Sequence, residues 1–317
     1  MAVYTPVARA ELEAFLAAYD LGPLIDHAGV EQGVENTNYI LTTARGRFVL
    51  TLFEKRAAVA DLPFFAAAMA HVAARGIPAP WPVADNSGRV FSALNARPAA
   101  IFTFLDGRQR MAPSVADCGA VGAATALLHL AGAGFEQMRP NALSLGGWRT
   151  LAEAAAPRAE EAAPNLAALI ADELAFLEAN WPEGLPEGLI HADLFPDNVF
   201  FDGGEVSGVI DFYFACTDFF IYDLALALNA WAAASKIWNA EAARGFIKAY
   251  EGVRPLSPTE RAALPVCLRG ASLRILLTRL YDWLHRAPGA IVKVKDPLEY
   301  RDLLLFHRAH GPAALTG

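Results

Sequence analysis

The stretch IHADLFPDNVFFDGGEVSGVIDF, residues 190–212, decides the fold of this chain. Two apolar segments, 199–201 and 206–210, flank a turn that contains two glycines, a pattern typical of two short strands joined as a hairpin. Such a hairpin folds Asn198, which precedes the first strand, back toward Asp211, which follows the second. We therefore expect two oxygen-bearing side chains to meet at the open end of a β-hairpin.

The spacing of the polar residues in this stretch indicates phosphoryl transfer. His191, Asp193 and Asn198 follow the H-x-D-x-x-x-x-N pattern of a kinase catalytic loop, and Asp211 precedes Phe212 as in a D-F-G segment. The transferred γ-phosphoryl group of ATP is highly charged, so catalysis needs positioning and charge neutralisation. We expect Asp193 to orient the acceptor hydroxyl and to take its proton, while His191 supports the loop through hydrogen bonds. Asn198 and Asp211 are the expected ligands of Mg²⁺, which prefers oxygen.

The same stretch has three other interpretations. An isolated D-x-x-x-x-N pattern is common in proteins of many kinds. A calcium loop would use Asp197, Asn198, Asp202 and Glu205, but Phe200 and Phe201 occupy positions where an EF-hand needs oxygen donors. A plain surface hairpin leaves unexplained why a carboxylate ends a buried-looking apolar segment, where its charge is costly without a partner. The joint pattern favours phosphoryl transfer.

Composition limits the classes of partner. At 317 residues the chain can form two lobes with a large core. A net charge of −8 without any basic block argues against nucleic acid, whose phosphate backbone dominates such binding. The apolar segment 222–238 is interrupted by Asp223, Asn229 and Lys236, and the N-terminus has no signal-peptide pattern. We expect a cytoplasmic protein without a membrane partner, with its three distant cysteines reduced.

The order of predicted elements indicates an α+β fold with two lobes, residues 1–105 and 106–317. The first lobe is predicted to contain a helix capped by Thr5 and ended by Gly22, and an antiparallel sheet of about five strands crossed by one helix. The segments concerned are strands at 39–43, 47–53, 89–94 and 99–104, and a helix at 59–75. This lobe is expected to bind the nucleotide, in a cleft against the second.

The second lobe is predicted to be mostly helical and to carry the catalytic loop and the acceptor site. Helices are expected at 115–130, where His129 should be an ordinary core histidine, and at 166–180. Ser257 and Glu260 form a capping box that opens a further helix.

The motifs resemble those of the aminoglycoside phosphotransferase and choline kinase superfamily. Residues 190–198, 208–212 and 222–225 carry this likeness, and residues 32–39, 48–56 and 212–216 are similar to the homoserine kinases built on that fold. The resemblance spans about residues 5 to 310. It implies a bilobal protein-kinase-like fold and ATP-dependent phosphorylation of the L-homoserine side-chain hydroxyl to O-phospho-L-homoserine in threonine biosynthesis. By motif, the family's catalytic base and its two metal ligands fall on the aspartates and asparagine already identified.

The segment expected to cover the nucleotide phosphates departs from the kinase pattern. It contains one glycine, Gly33, so the side chains of Asn36, Thr37 and Asn38 are candidates to replace backbone amides over the phosphates. An ordinary turn between the first two strands is an equally good interpretation of the same residues.

The strand lysine of protein kinases also has no direct counterpart. Thr51 occupies the matching position, and Lys55, four residues later, would face the same side of a continued strand. We hypothesise that Lys55, or an arginine such as Arg47, neutralises the phosphates. Lys55 as a solvated strand end is an alternative of at least equal weight.

The acceptor site is predicted only in outline. An amino-acid acceptor needs an acid for its ammonium group, and Asp218 and Tyr213 lie near enough in sequence to the expected metal-binding segment to line the site. Asp218 could equally be a turn residue. Two other functions stay open, a kinase for choline or an aminoglycoside and a non-catalytic nucleotide-binding protein of the same fold. The sequence leaves the oligomeric state open.

Overall fold

A computed structural model describes residues 4–30, 36–54, 58–286 and 294–315 of the chain. The chain divides into two compact units, Met1–Asp106 with Gly208–Tyr213, and Gly107–Ser207 with Phe214–Gly317. The segment Gly208–Tyr213, which the sequence placed with the second lobe, thus groups with the first unit. The roles expected of the two lobes stay predictions.

The first unit is an antiparallel sheet with two helices. Its strands are β1 (Leu24–Gly29), β2 (Thr37–Thr43), β3 (Gly46–Leu52), β4 (Pro82–Val83), β5 (Ser92–Leu94) and β6 (Arg97–Thr103). Its helices are α1 (Arg9–Leu16) and α2 (Leu62–Ala73), the second entered through a 3₁₀ turn at Val59–Asp61. The sheet order is β1-β2-β3-β6-β4, with β5 also paired to β6. The predicted hairpin of β2 and β3 and the predicted helix after it are confirmed.

The first helix begins later than the sequence predicted. Thr5 does not cap it, because the Thr5 hydroxyl donates to Glu54 Oε1 at 2.7 Å and the Thr5 amide donates to Thr37 Oγ1 at 3.1 Å. The helix starts at Arg9 instead. Thr5 therefore fastens the N-terminal segment to the sheet.

The second unit is mostly helical. Its helices are α3 (Val115–Ala131), α4 (Leu145–Ala155), α5 (Leu166–Asn180), α6 (Phe220–Ala232), α7 (Ala240–Val253), α8 (Pro258–Leu284) and α9 (Leu298–His310). Helix α6 is buried from Ile221 to its end and packs against α8, so it forms the centre of the unit. Within the described parts of the chain, no helix has both the length and the apolar character needed to cross a membrane.

Several local predictions in the second unit are confirmed. Helices α3 and α5 lie where the periodicity placed them. The capping box at the start of α8 forms, with Ser257 N donating to Glu260 Oε2 at 2.9 Å and Glu260 N donating to Ser257 Oγ at 3.2 Å. All three cysteines are free and buried.

Five short strands form the region around residues 190–212, the stretch from which the fold was predicted. They are β7 (Arg108–Gln109), β8 (Glu187–Ile190), β9 (Val199–Asp202), β10 (Glu205–Val209) and β11 (Cys216–Phe219). The order β10-β9-β7 forms one small sheet and β11-β8 another. Gly203, at φ +57°, makes the predicted turn between β9 and β10.

Candidate active site

The loop that carries Asp193 leaves the end of β8 and enters β9 through a 3₁₀ turn at Pro196–Asn198. β8 is paired with β11, with Ile190 opposite Cys216. Directly after β8, Ala192 adopts φ +62°, a left-handed conformation that residues with a β-carbon rarely take. The strand thus fixes where the loop starts, and Ala192 sets the direction in which Asp193 leaves it.

Asp223 of α6 holds the backbone of this loop. Its carboxylate is fully buried and accepts hydrogen bonds from His191 N at 3.1 Å and Ala192 N at 2.7 Å. Burial by itself raises the pKa of Asp223, but the hydrogen bonds from His129 and from the backbone of His191 act in the opposite direction, and the pKa lies below its usual value. An ionised carboxylate therefore receives two consecutive backbone amides, which fixes the turn that precedes Asp193.

A chain of buried polar groups continues behind Asp223. His129 Nε2 contacts Asp223 Oδ2 at 3.0 Å, and His129 Nδ1 contacts the hydroxyl of Tyr250 at 2.7 Å. Arg254 donates to that hydroxyl at 3.1 Å and to Glu260 Oε1 at 2.8 Å. Because the carboxylate can only accept and the Tyr250 hydroxyl already accepts from Arg254, the order of bonds assigns the histidine proton to Nε2. His129 is the core histidine that the sequence predicted, and it supports Asp223.

Asp193 and Asn198 are brought together by the loop. Asn198 Nδ2 donates to the backbone oxygen of Asp193 at 2.8 Å and to Asp193 Oδ2 at 3.2 Å. Asp193 N in turn donates to Nδ1 of His191, which is fully buried, at 3.2 Å. These bonds orient the Asn198 amide with its nitrogen toward Asp193. The geometry agrees with the loop-supporting role expected of His191, which stays a prediction.

Arg274 is a neighbour of the loop that the sequence did not reveal. It lies on α8, is 2% exposed, and donates from Nη1 to the backbone oxygen of Ala192. Its Nη2 lies 3.8 Å from Asp193 Oδ1, and its Cζ lies 5.3 Å from the ring centre of Phe214. More than eighty residues separate Arg274 from the loop, and no local pattern connects the two.

Asp211 belongs to the first unit. It follows β10 and adopts φ +65°, a second left-handed residue with a β-carbon within the stretch 190–212. Such conformations cost free energy and gather at functional sites. Tyr213 lies two residues further on and packs edge-on against Phe53 and Phe65, with ring centres 5.4 and 5.8 Å apart. The expected meeting of Asp211 with Asn198 stays a prediction.

The residues expected over the nucleotide phosphates are tied into the sheet of the first unit. Asn38 Oδ1 accepts from Thr51 Oγ1 at 2.7 Å, and Asn36 Oδ1 accepts from Glu54 N at 3.3 Å. The hydroxyl of Thr37 accepts two backbone amides and donates to Glu54 Oε1 at 2.8 Å. These three bonds use the full capacity of a hydroxyl. The side chain of Thr37 is therefore a structural link, and a phosphate contact is not the role that this structure gives it.

Only some of the residues expected to contact or neutralise the phosphates belong to the described part of the chain. Gly33 and Lys55 lie outside the described residues. Thr51 stands on β3 opposite Asn38, where its hydroxyl is used. Arg47 is ion-paired with Asp106 and stacks over Phe104 with Cζ 4.1 Å from the ring centre. The charge of Arg47 is therefore already matched within the first unit.

Asp218 lies on β11, opposite Gly188 of β8. Its carboxylate accepts from Asn141 Nδ2 and from Phe219 N, each at 2.7 Å. Burial raises the pKa of Asp218, although both hydrogen bonds oppose that shift. A partly buried carboxylate can pair with an ammonium group, whose charge would lower its pKa, and this substrate role stays a prediction.

The oxygen donors suit a magnesium ion that ATP brings with it. No group of three or more His, Cys, Asp or Glu side chains is placed to hold a metal ion in the described ranges. Mg²⁺ in kinases needs only one or two carboxylates from the protein, because water and phosphate oxygens fill its other coordination positions. Asp211 offers a carboxylate, and the Asn198 amide, whose nitrogen is taken up by Asp193, offers its oxygen. The donor set therefore fits Mg²⁺ in its chemistry.

Comparison with known proteins supports the same chemistry. The model of the phosphotransferase enzyme family matches residues 26–258. A homoserine kinase of Afipia carboxidovorans is 56% identical over 309 residues, which cover 97% of this chain and 95% of that protein. A homoserine kinase of Xanthobacter autotrophicus is 55% identical over 310 residues, which cover 98% of this chain and 97% of that protein.

A solved structure shows the fold. Spectinomycin phosphotransferase in complex with ADP and spectinomycin matches with a TM-score of 0.72 at 13% identity, over 98% of this chain and all of that chain. The expected α+β, protein-kinase-like fold is thereby confirmed.

Proposed function

We propose that this chain, which belongs to the phosphotransferase enzyme family, transfers the γ-phosphoryl group of ATP to the side-chain hydroxyl of L-homoserine. The product is O-phospho-L-homoserine, an intermediate of threonine biosynthesis. The observation that carries the proposal is identity of 55–56% to homoserine kinases over nearly the whole of both chains. The chain is a small-molecule kinase, and the acceptor is the part of the proposal that experiment must settle.

Asp193 is the base of the proposed reaction. Its carboxylate orients the acceptor hydroxyl and takes its proton as the oxygen attacks the γ-phosphorus in line with the leaving ADP. The transfer is direct, without a phosphoenzyme. Support comes from the loop itself, because buried groups hold the backbone on both sides of Ala192 and the Asn198 amide binds the Asp193 carboxylate. Such fixed geometry is what a reaction that depends on positioning needs.

Asn198 and Asp211 are the residues that would hold Mg²⁺. When bound, the ion neutralises charge on the phosphates of ATP. Asp193 also binds the Asn198 amide nitrogen, so the residue proposed as base helps to orient a proposed metal ligand. Lys55, with the backbone near Gly33 and the amides of Asn36 and Asn38, is proposed to contact the phosphates from the first unit.

Two residues identified from the sequence are proposed to bind the acceptor. Asp218 would receive the substrate ammonium group and Tyr213 would line the site. The protein is proposed to act in the cytoplasm, on a small molecule and without a nucleic-acid or membrane partner. Lys55→Ala should raise the apparent ATP KM, and an unchanged KM would remove Lys55 from the phosphate site.

The acceptor assignment is tested by ADP release from Mg-ATP with single acceptors. L-Homoserine, L-serine, choline, an aminoglycoside and 3-aminopropan-1-ol should be supplied separately. The last compound is homoserine without its carboxylate, so it isolates the contribution of that group. We expect kcat/KM for L-homoserine to exceed all others. Turnover of a different acceptor alone would keep the kinase and overturn the substrate, and ATP binding without turnover of any acceptor would favour a non-catalytic protein.

A further inference from the structure

We propose that Arg274 is a positioning residue for catalysis, which holds Ala192 and the Asp193 carboxylate in the orientation that proton transfer requires. This role rests on the proposed function, because it takes Asp193 as the base. Arg274 acts through the loop and does not touch the substrate.

The first support is the way in which Ala192 is held. Asp223 accepts the Ala192 N–H at 2.7 Å, and Arg274 donates to the carbonyl oxygen of the same residue. Two buried side chains of opposite charge thus hold the backbone polar groups on both sides of one α-carbon. The residue between them has φ +62°, a conformation that an alanine rarely adopts and that costs free energy. Without Arg274, the carbonyl oxygen of Ala192 would lose this hydrogen bond, and the peptide between Ala192 and Asp193 could rotate.

The second support is the position of the guanidinium charge. Arg274 Nη2 lies 3.8 Å from Asp193 Oδ1, while Asp193 Oδ2 accepts from Asn198 at 3.2 Å. The two oxygens of the carboxylate therefore face different neighbours, a cation and an amide. This arrangement limits rotation of the carboxylate about the Cβ–Cγ bond, because such a rotation would move each oxygen away from its own neighbour. The oxygen beside Arg274 is kept in one place.

The third support is that Arg274 is an unfavourable choice if stability alone mattered. Its side chain is 3% exposed, and its buried Nε has no hydrogen-bond partner within the described part of the chain. A buried guanidinium with incomplete hydrogen bonding is costly, and an apolar residue would suit the interior face of a helix better. The same burial closes the guanidinium to a substrate carboxylate. The charge is therefore best explained by what it does for the loop.

Arg269, on the same helix, shows what a structural arginine looks like in this unit. Both of its bonds to the buried Glu173 are 2.7 Å long, and its guanidinium lies over Phe176 with Cζ 3.4 Å from the ring centre. This cation is fully paired and does not contact the catalytic loop. Arg269→Gln is therefore a matched control, because it breaks a buried ion pair of α8 without touching Ala192 or Asp193.

The experiment compares Arg274→Gln, Arg274→Lys and Arg274→Ala with Arg269→Gln in steady-state assays of the full chain with Mg-ATP and L-homoserine. Thermal unfolding and ATP binding are measured for each variant. We expect Arg274→Gln to lose about 10²-fold in kcat, as misplaced catalytic groups do, with both KM values and the ATP affinity within a few-fold of wild type. Arg274→Lys should recover part of the loss. Millimolar methylguanidinium should raise kcat of Arg274→Ala and leave the wild type and Arg269→Gln unchanged.

Two results would overturn the inference. A kcat for Arg274→Gln within about twofold of wild type, with only a lower unfolding temperature, would make Arg274 structural like Arg269. A large rise in the L-homoserine KM at unchanged kcat would instead make it a binding residue for the substrate carboxylate. An inactive wild type would refute the proposed function and is distinguished from both, because it is measured first in the same assay.

Discussion

Replacement of Asp223 by asparagine tests how the catalytic loop is held. In the wild type, Asp223 Oδ2 accepts from His191 N and from His129 Nε2, and Oδ1 accepts from Ala192 N. Asparagine can keep its oxygen at the position with two donors, but its amide nitrogen then faces the N–H of Ala192. One charge-assisted hydrogen bond is lost and a buried donor is left without an acceptor.

The loss of stability is estimated from the one hydrogen bond that is lost and the one buried donor that is left without an acceptor. A hydrogen bond to a charged group contributes about 1.5–3 kcal/mol, so Asp223→Asn should destabilise the protein by about 2–4 kcal/mol. In a domain of 150–250 residues, each kcal/mol corresponds to about 2–4 °C in Tm. Because release of Ala192 N lets the loop shift, kcat should also fall by about 10²-fold, while the ATP affinity stays near that of the wild type.

The assay combines differential scanning fluorimetry with steady-state kinetics. Asp172→Asn is the control, because Asp172 is an exposed carboxylate of α5 whose ion pair with Arg308 contributes little. Loss of stability without loss of kcat at a temperature where the variant is folded would refute the reasoning. It would mean that the loop keeps its geometry without the buried carboxylate.

Two further predictions concern packing and pH. Gly122→Ala should destabilise the protein by about 1–3 kcal/mol, because its β-carbon would clash with the carbonyl oxygen of Phe246. Gly119→Ala should change stability little, because the nearest atom to its β-carbon would be 3.8 Å away. Equal unfolding temperatures of the two variants would contradict this packing. Burial lowers the pKa of His307 to about 3, so the unfolded chain binds a proton at higher pH than the folded one. Stability should therefore fall by about 2 kcal/mol between pH 7 and pH 5, and His307→Gln should lack this part of the slope in thermal unfolding measured at both values. A slope that is the same in the variant and the wild type would show that other groups cause it.

Local patterns in the sequence were enough for the hairpin and for one helix start near the site, but not for strands β8 and β11. The two glycines of the turn and the flanking apolar residues predict the hairpin of β9 and β10. The capping box of Ser257 and Glu260 places the start of α8. Strands β1 and β4 were missed for a physical reason, because β1 is largely exposed and β4 has only two residues, so neither carries an alternating apolar pattern.

The groups that hold the catalytic loop could not be predicted in the same way. His129 lies 94 residues from Asp223, and Arg274 lies 82 residues from Ala192. Hydrogen bonds over such separations leave no mark on local periodicity. The spacing of Asp193 and Asn198 identifies the loop, whereas the buried charges that position it become visible only once the helices are packed.

The measurement that tests the central claim most directly is formation of O-phospho-L-homoserine from Mg-ATP by the wild type and by Asp193→Asn, followed by ³¹P NMR. Nucleotide affinity is measured in parallel by calorimetry. We expect the wild type to convert L-homoserine, and the variant to bind ATP with similar affinity while kcat falls by at least about 10²-fold. Near-normal turnover by Asp193→Asn would contradict its role as base, and no phosphorylated homoserine from the wild type would contradict the proposed function.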